Sequence, residues 1–157
     1  MCSQSRFPVM VKETGCGIDG ESAHHLASTC VACIDVAGAG GISFTKVELC
    51  RRADQGQSRL QRLEEWSILT ADSLQQCRSV TGGIPLIASG GLRTEIECAK
   101  AIVMGASLVG FALPLLRAAS QSVDCLSVVG EELRRVMLLV GAKDLAALRK
   151  AALVPYN

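Results

Sequence analysis

Short apolar runs alternate with longer amphipathic segments along most of this chain. Four of the runs contain β-branched and small apolar residues and predict buried strands. They cover residues 7–13, residues 31–38, a run from residue 84 to the glycine pair at 90 and 91, and residues 106–112. Helical segments separate these runs, so right-handed crossovers are expected to make all the strands parallel and to bring their carboxyl ends to one side.

Apolar residues at helical spacing predict helices over residues 19–30, 70–80, 94–105, 123–140 and 142–152, with another that starts near Pro114. Residues 42–66 are polar with little strand signal, and they predict a long loop of the kind that is usually functional or disordered. The fold class is therefore α/β. Four parallel β/α units plus terminal helices amount to half of a (β/α)8 TIM barrel, which typically needs about 250 residues. We expect residues 1–157 to form a single partial domain.

Composition narrows the class of protein. Hydrophobic residues make up 49% of the chain and aromatic residues only 3%, so small aliphatic side chains must fill the core, as in buried parallel sheets. The 16 basic and 15 acidic residues are interspersed, without the basic stripe that nucleic-acid binding requires. The sequence shows no signal peptide and no uninterrupted membrane span. We therefore expect a soluble cytoplasmic protein without nucleic-acid or membrane partners.

The eight cysteines are scattered over predicted strands, helices and loops, which favours reduced thiols over a disulfide framework. Cys30 and Cys33 form a C-x-x-C pair, but no second ligand pair lies near them in sequence, so no metal site is predicted. His24 and His25 are interpreted as surface residues.

Two features at predicted strand ends suggest an anion-binding site. Gly90 and Gly91 follow a buried strand and precede a helix whose start is marked by the capping-box pair Thr94 and Glu97. Such a turn exposes backbone N–H groups, and the helix is expected to point further N–H groups at the glycine loop, which suits a phosphate. Lys12 ends the first apolar strand and is expected to bring a cation to the same edge.

Several sequence blocks occur together in a characteristic order. They are residues 9–18, 34–41, 46–52, Trp66, 87–91, 99–106 and 132–145. In this order and spacing, they resemble the carboxyl-terminal half of type II isopentenyl diphosphate isomerase. The resemblance extends from about residue 8 to residue 154 of the 157 residues.

That resemblance implies a flavin-dependent barrel that interconverts isopentenyl and dimethylallyl diphosphate, small-molecule substrates of isoprenoid biosynthesis. It implies FMN as cofactor, NADPH as its reductant and Mg²⁺ on the diphosphate, in a homo-oligomer or together with a missing amino-terminal half. By the same resemblance, Lys12 lies at the polar edge of the flavin ring. The other implied FMN contacts are Gly40, Gly41 and Ile42 along the cofactor, Gly90, Gly91 and Leu92 on the phosphate, and Ala112 and Leu113 closing the phosphate pocket.

The resemblance places the catalytic, magnesium-binding and diphosphate-binding residues in the amino-terminal half of the family's barrel. No catalytic or metal residue is therefore assigned in this chain, and the isolated chain is expected to be inactive. Ile42 replaces a threonine that hydrogen-bonds the cofactor, which removes one flavin contact. Two alternatives remain. One is another FMN-dependent dehydrogenase or oxidase barrel, which should show a His-x-x-Arg or a loop cysteine that residues 90–94 lack. The other is a non-catalytic half-barrel remnant whose open sheet edges favour dimerisation.

Overall fold

The computed structural model describes residues 4–52, 66–120 and 125–154. Its sheet contains four parallel strands in the order β1-β2-β3-β4. The strands are β1 (Met10–Lys12), β2 (Cys33–Asp35), β3 (Leu86–Ala88) and β4 (Leu108–Val109). Each pairs with its neighbour in sequence order, as the alternating pattern requires, and the α/β prediction is confirmed.

The strands are shorter than the apolar runs that predicted them, although parallel hydrogen bonds continue beyond their ends. Gly38 N donates to Ser89 O at 3.0 Å, and Gly110 N donates to Ala88 O at 2.9 Å. At the amino-terminal ends of β1 and β2, Ala32 N donates to Val9 O at 2.8 Å. The apolar runs were therefore located correctly. Beyond the regular strands, backbone hydrogen bonds between neighbouring segments continue for one or two residues.

Helices follow the strands in the predicted alternation. They are α1 (Gly20–Ala27), α2 (Phe44–Arg52), α3 (Thr70–Val80), α4 (Glu95–Val103), α5 (Leu113–Ser120), α6 (Cys125–Leu139) and α7 (Leu145–Leu148). The prediction of α3 is confirmed to the residue. None of the helices among the described ranges is long and apolar enough to cross a bilayer.

The prediction of a continuous loop over residues 42–66 was wrong in its first part. Residues from Phe44 to Arg52 form the helix α2. The segment has a low mean hydropathy and leaves Phe44 and Val47 exposed, so it lacks the apolar stripe on which helix prediction depends. Residues 53–65 lie outside the described part of the chain.

The two faces of the sheet differ. Alternate residues on one face, including Ile34, Leu86 and Ala88, pack against α1, α3 and α4 and form the main core. The registered residues on the other face include Met10, which is 50% exposed, and Leu108, which is 63% exposed. Among the described residues, the helices therefore cover one face, and the other face is open at the outer strands β1 and β4.

Candidate functional site

The carboxyl ends of the first three strands meet in one connected group of polar side chains. Lys12 ends β1, Asp35 ends β2, and Ser89 directly follows β3. Lys12 Nζ lies 3.9 Å from Asp35 Oδ2, and Ser89 Oγ donates to Asp35 Oδ1 at 2.6 Å. This chain of contacts places Lys12 and the Gly90–Gly91 turn at the same edge of the sheet.

Asp35 was not singled out by the sequence patterns, although the structure puts it at the centre of this edge. Asp35 is only 5% exposed, whereas an unpaired aspartate normally faces water. Besides Ser89 and Lys12, the backbone N–H of Ala37 approaches its Oδ1 at 3.1 Å. A sequence signal existed in the form of an acidic residue inside an otherwise apolar run, because a carboxylate is placed there only when partners compensate its burial.

A second carboxylate holds the loop between β1 and α1. Glu13 Oε2 accepts from Gly15 N at 2.6 Å, from Gly17 N at 3.0 Å and from Cys16 N. Partial burial, the largest single influence, raises the pKa of Glu13, but the backbone N–H groups together outweigh it and hold that pKa below its ordinary value of 4.5. The glutamate therefore fixes the loop that follows Lys12.

Replacing Glu13 by glutamine should destabilise the chain in a pH-dependent way. Because the folded pKa lies below the unfolded one, the ionised carboxylate stabilises the fold above about pH 4.5, and this stabilisation is lost as pH falls through the lowered value. Solvent screens this partly exposed group, so we expect Glu13→Gln to lower the unfolding free energy by about 1 kcal/mol near neutral pH.

Urea unfolding of both proteins between neutral pH and about pH 3 measures this difference. The matched control is Glu21→Gln, since Glu21 is exposed and lies 4.0 Å from His25 Nε2. Its effect should stay within about 0.5 kcal/mol. A Glu13→Gln difference that persists unchanged at acidic pH would contradict the role of the carboxylate charge.

Two glycine loops pack directly on each other beside this group. Gly40 and Gly91 both have positive φ, at 133° and 80°. A Cβ added to Gly91 would lie 2.5 Å from the carbonyl carbon of Gly40, and one added to Gly41 would lie 3.0 Å from Gly91 N. The backbones approach so closely that only glycine fits at Gly91.

Two side chains that sequence patterns did not indicate tie these loops together. Thr70, the first residue of α3, donates from its hydroxyl to Gly90 O at 2.5 Å and also lies 3.3 Å from Ala39 O. The Arg93 guanidinium donates to Gly40 O at 2.9 Å and contacts Gly91 O at 3.4 Å. No local pattern marks such residues, because their partners are backbone carbonyls distant in sequence.

The backbone N–H groups of Gly90, Gly91 and Leu92 have no acceptor within the described residues, so this turn offers donors to an anion. The capping box at the start of α4 is confirmed. However, Glu97 Oε2 already accepts from Arg93 N at 2.7 Å and from Thr94 N at 2.9 Å, which lowers the pKa of Glu97. Both of these N–H groups precede the helix. Within α4, Glu97 N donates to Thr94 Oγ1 at 3.3 Å, so the expectation that α4 points free N–H groups at the glycine loop was wrong for Glu97 and stays a prediction for Glu95 and Ile96.

The remaining predicted contacts surround this edge. Ile42 is 68% exposed, and its carbonyl lies against Gly15 of the β1–α1 loop. Ala112 and Leu113 lie between β4 and the first turn of α5, and both are exposed. The structure places these positions along the carboxyl edge, and their roles as cofactor contacts stay predictions. The described residues contain no group of three or more histidine, cysteine, aspartate or glutamate side chains placed to hold a metal ion.

Comparison with known proteins adds an independent line of support. The sequence matches the FMN-dependent dehydrogenase family over residues 1–155. It is 46% identical to an isopentenyl-diphosphate delta-isomerase of Synechococcus sp. over 155 residues, which are 96% of this chain and 44% of that protein. It is 44% identical to the enzyme of the same name from Pyrococcus abyssi, covering 94% of this chain and 41% of that protein. The resemblance read from the sequence blocks is confirmed.

The fold comparison agrees. The crystal structure of mandelate oxidase superimposes with a TM-score of 0.70 at 21% identity, over 96% of this chain and 39% of that chain. At this identity the likeness concerns the fold alone, and the four β/α units match part of a TIM barrel. The chain spans less than half the length of the curated relatives that it matches.

Proposed function

We propose, from the premise that this chain belongs to the FMN-dependent dehydrogenase family, that it forms the FMN-binding part of an isopentenyl-diphosphate delta-isomerase. The reaction interconverts isopentenyl and dimethylallyl diphosphate. The relatives carry the name of this activity over more than twice the length of this chain, so the proposal assigns cofactor binding to the described residues and catalysis to the complete barrel.

The observation that carries the proposal is the meeting of a cation and open backbone donors at one sheet edge. Lys12 Nζ and the N–H groups of Gly90, Gly91 and Leu92 are connected through Asp35 and Ser89. FMN is a dianion at its phosphate and acquires a further negative charge on its ring when reduced. Donors at one end of the edge and an ammonium group nearby fit both parts of this cofactor.

Reduced FMN, when bound, would supply an electron-rich ring for the isomerisation. The residues of this chain bind and orient that ring. The turn at Gly90 would hold the phosphate, and the Lys12 ammonium would stabilise negative charge on the ring. The loop at Gly40 and Gly41 packs on the Gly90–Gly91 turn and supports it. We assign the residues that would hold the metal and the diphosphate to the remainder of the barrel, which this chain does not span.

The open face of the sheet supports this division. Met10 and Leu108 are apolar side chains on strands and yet half or more exposed, a situation that is costly unless other protein covers them. We place the remaining strands of the barrel, from another part of the protein or a second copy, against this face. The described chain alone is then inactive as an isomerase, although its FMN-binding edge is present.

Flavin fluorescence quenching with the 157-residue chain measures binding of oxidised FMN, and anaerobic equilibrium dialysis measures binding of reduced FMN, which hardly fluoresces. We expect saturable FMN binding that Lys12→Met weakens about tenfold for reduced FMN, which is about 1.4 kcal/mol of lost charge interaction. The matched control is Lys100→Met in the last turn of α4, because α4 runs antiparallel to the strands and ends away from the site. Equal losses in both variants would show that Lys12 has no specific part.

A chimera tests the activity. The 155 matching residues of the Synechococcus isomerase are replaced by this chain, and conversion of isopentenyl diphosphate is followed by NMR with reduced FMN and Mg²⁺. We expect a yellow protein that forms dimethylallyl diphosphate. A colourless chimera would reject FMN binding, whereas a yellow chimera that only oxidises a 2-hydroxy acid such as mandelate would favour the oxidase alternative.

A further inference from the structure

The contacts around Asp35 point to a role beyond those assigned to the glycine loops and to Lys12. We infer that Asp35 is a positioning residue that holds the Lys12 ammonium at the ligand edge of the sheet, with the Ser89 hydroxyl fixing the carboxylate. The inference rests on the proposed FMN site, since Lys12 is the group that contacts the ring there.

The two carboxylate oxygens of Asp35 have different environments. Oδ1 accepts from Ser89 Oγ at 2.6 Å and from Ala37 N at 3.1 Å, so both recorded hydrogen-bond donors point to the same atom. Oδ2 faces Lys12 Nζ at 3.9 Å. The hydrogen bonds thus lock the rotation of the carboxylate in an orientation that leaves its second oxygen facing the cation.

Burial makes this arrangement specific. The Asp35 side chain is 8% exposed, whereas the Lys12 side chain is 50% exposed. The carboxylate is the fixed partner and the ammonium is the mobile one, because a lysine side chain has four rotatable bonds and loses about 2 kcal/mol of rotamer freedom when it is held. Lys12 Nζ also donates to Glu13 O at 2.9 Å, so two acceptors limit its position.

The backbone after β2 is consistent with a site under constraint. Ala37 adopts a φ of +37°, the one positive value for a residue other than glycine in the described chain. Its N–H is held by Asp35, and its carbonyl accepts from Gly17 N at 3.2 Å. Left-handed backbone at alanine is unfavourable and persists only where its surroundings impose it. The turn at Ala37 therefore presents the N–H group that holds the Asp35 carboxylate in the orientation facing Lys12.

The first experiment compares the dissociation constants of oxidised and reduced FMN for the full chain. We expect Asp35→Asn to weaken reduced FMN about tenfold and oxidised FMN less than about threefold, because only the reduced ring carries the charge that Lys12 balances. Ser89→Ala, which leaves the carboxylate in place but frees its rotation, should show a smaller loss of about threefold. Asp72→Asn is the matched control, since Asp72 is an exposed carboxylate on α3.

A double-mutant cycle separates positioning from a general structural effect. If Asp35 acts through Lys12, Asp35→Asn should cause no further loss of reduced-FMN affinity, within about twofold, in a Lys12→Met background. A residue that merely supports the fold would weaken binding by the same factor in both backgrounds, and that result would overturn the inference. Thermal unfolding identifies a variant that does not fold, in which case the cycle uses Ser89→Ala.

A measurement without flavin keeps the inference independent of the proposed function. Mass spectrometry follows acetylation of the Lys12 amine in the cofactor-free chain, with Lys100 as internal reference. An amine released from its carboxylate is more accessible, so Asp35→Asn should accelerate labelling of Lys12 about threefold relative to Lys100. If neither the parent chain nor its variants bound FMN but this acceleration were still seen, the proposed cofactor would be rejected and the positioning of Lys12 by Asp35 would stand. Unchanged labelling of Lys12 in both Asp35→Asn and Ser89→Ala would overturn the inference that Asp35 positions the Lys12 ammonium.

Discussion

Replacing Gly91 by alanine should lower the unfolding free energy by about 3 kcal/mol and abolish measurable FMN binding. Two costs add at this position. The φ of 80° is unfavourable for any residue with a Cβ and costs about 1–2 kcal/mol. The new Cβ would also lie 2.5 Å from the carbonyl carbon of Gly40, and because that atom belongs to the backbone, the two glycine loops must separate to admit it.

The chain provides a matched control for this variant. Gly82 has a φ of 61°, but nothing lies within 4 Å of a Cβ built there. Gly82→Ala therefore carries only the conformational cost of about 1–2 kcal/mol, and its FMN affinity should equal that of the parent. Urea unfolding and flavin fluorescence quenching compare the two variants. Equal losses of stability, with FMN affinity retained in both, would show that the contact between the loops is unimportant.

Much of the fold was predictable because local patterns encode it. The apolar runs located all four strands, and the capping box located the start of α4. Parallel order followed from the chirality of crossover connections. The helix α2 was missed for a physical reason, since its segment has no apolar stripe and its large side chains Phe44 and Val47 remain exposed.

The candidate site was predictable only in part. Lys12 and Gly90 end apolar runs, so their meeting at one edge follows from parallel topology alone. The side chains that organise this edge contact residues that are distant in sequence. Asp35 and Ser89 are 54 positions apart in sequence, and Thr70 reaches Gly90 across 20 positions. Periodicity describes neighbours along the chain and does not report such pairs.

The capping motif of α4 predicted more than the structure shows. The motif at Thr94 and Glu97 correctly predicted a helix start, and from it an anion site at the helix terminus was inferred. The structure shows that Thr94 Oγ1 accepts from Glu97 N, while Glu97 Oε2 accepts from Arg93 N and Thr94 N just before the helix. A capping box therefore marks a helix boundary and also places a carboxylate beside the helix terminus, where its charge opposes a second anion.

The second large effect is expected at Thr70. Its hydroxyl has a single proton, and the short distance of 2.5 Å to Gly90 O indicates that this carbonyl receives it. Thr70→Val keeps the shape of the side chain but removes the donor and places a methyl group against an oxygen. We expect a loss of about 2–3 kcal/mol in unfolding free energy from the unsatisfied carbonyl and the close contact.

The effect should reach the FMN site, because Gly90 belongs to the turn that offers its N–H groups to the phosphate. We expect the FMN dissociation constant to rise about tenfold in Thr70→Val. Thr70→Ser retains the hydroxyl and should keep affinity within about threefold of the parent, at a cost of about 1 kcal/mol for the lost methyl group.

Thr81 supplies the control for the substitution itself. It is a buried threonine, 4% exposed, with no side-chain hydrogen bond to any described residue. Thr81→Val should therefore be neutral or slightly stabilising, since it removes a buried hydroxyl that lacks a recorded partner. Urea unfolding and FMN titration of the three variants decide the matter. If Thr70→Val matched Thr81→Val in both measurements, the hydroxyl of Thr70 would not be what holds the glycine loops in register with α3.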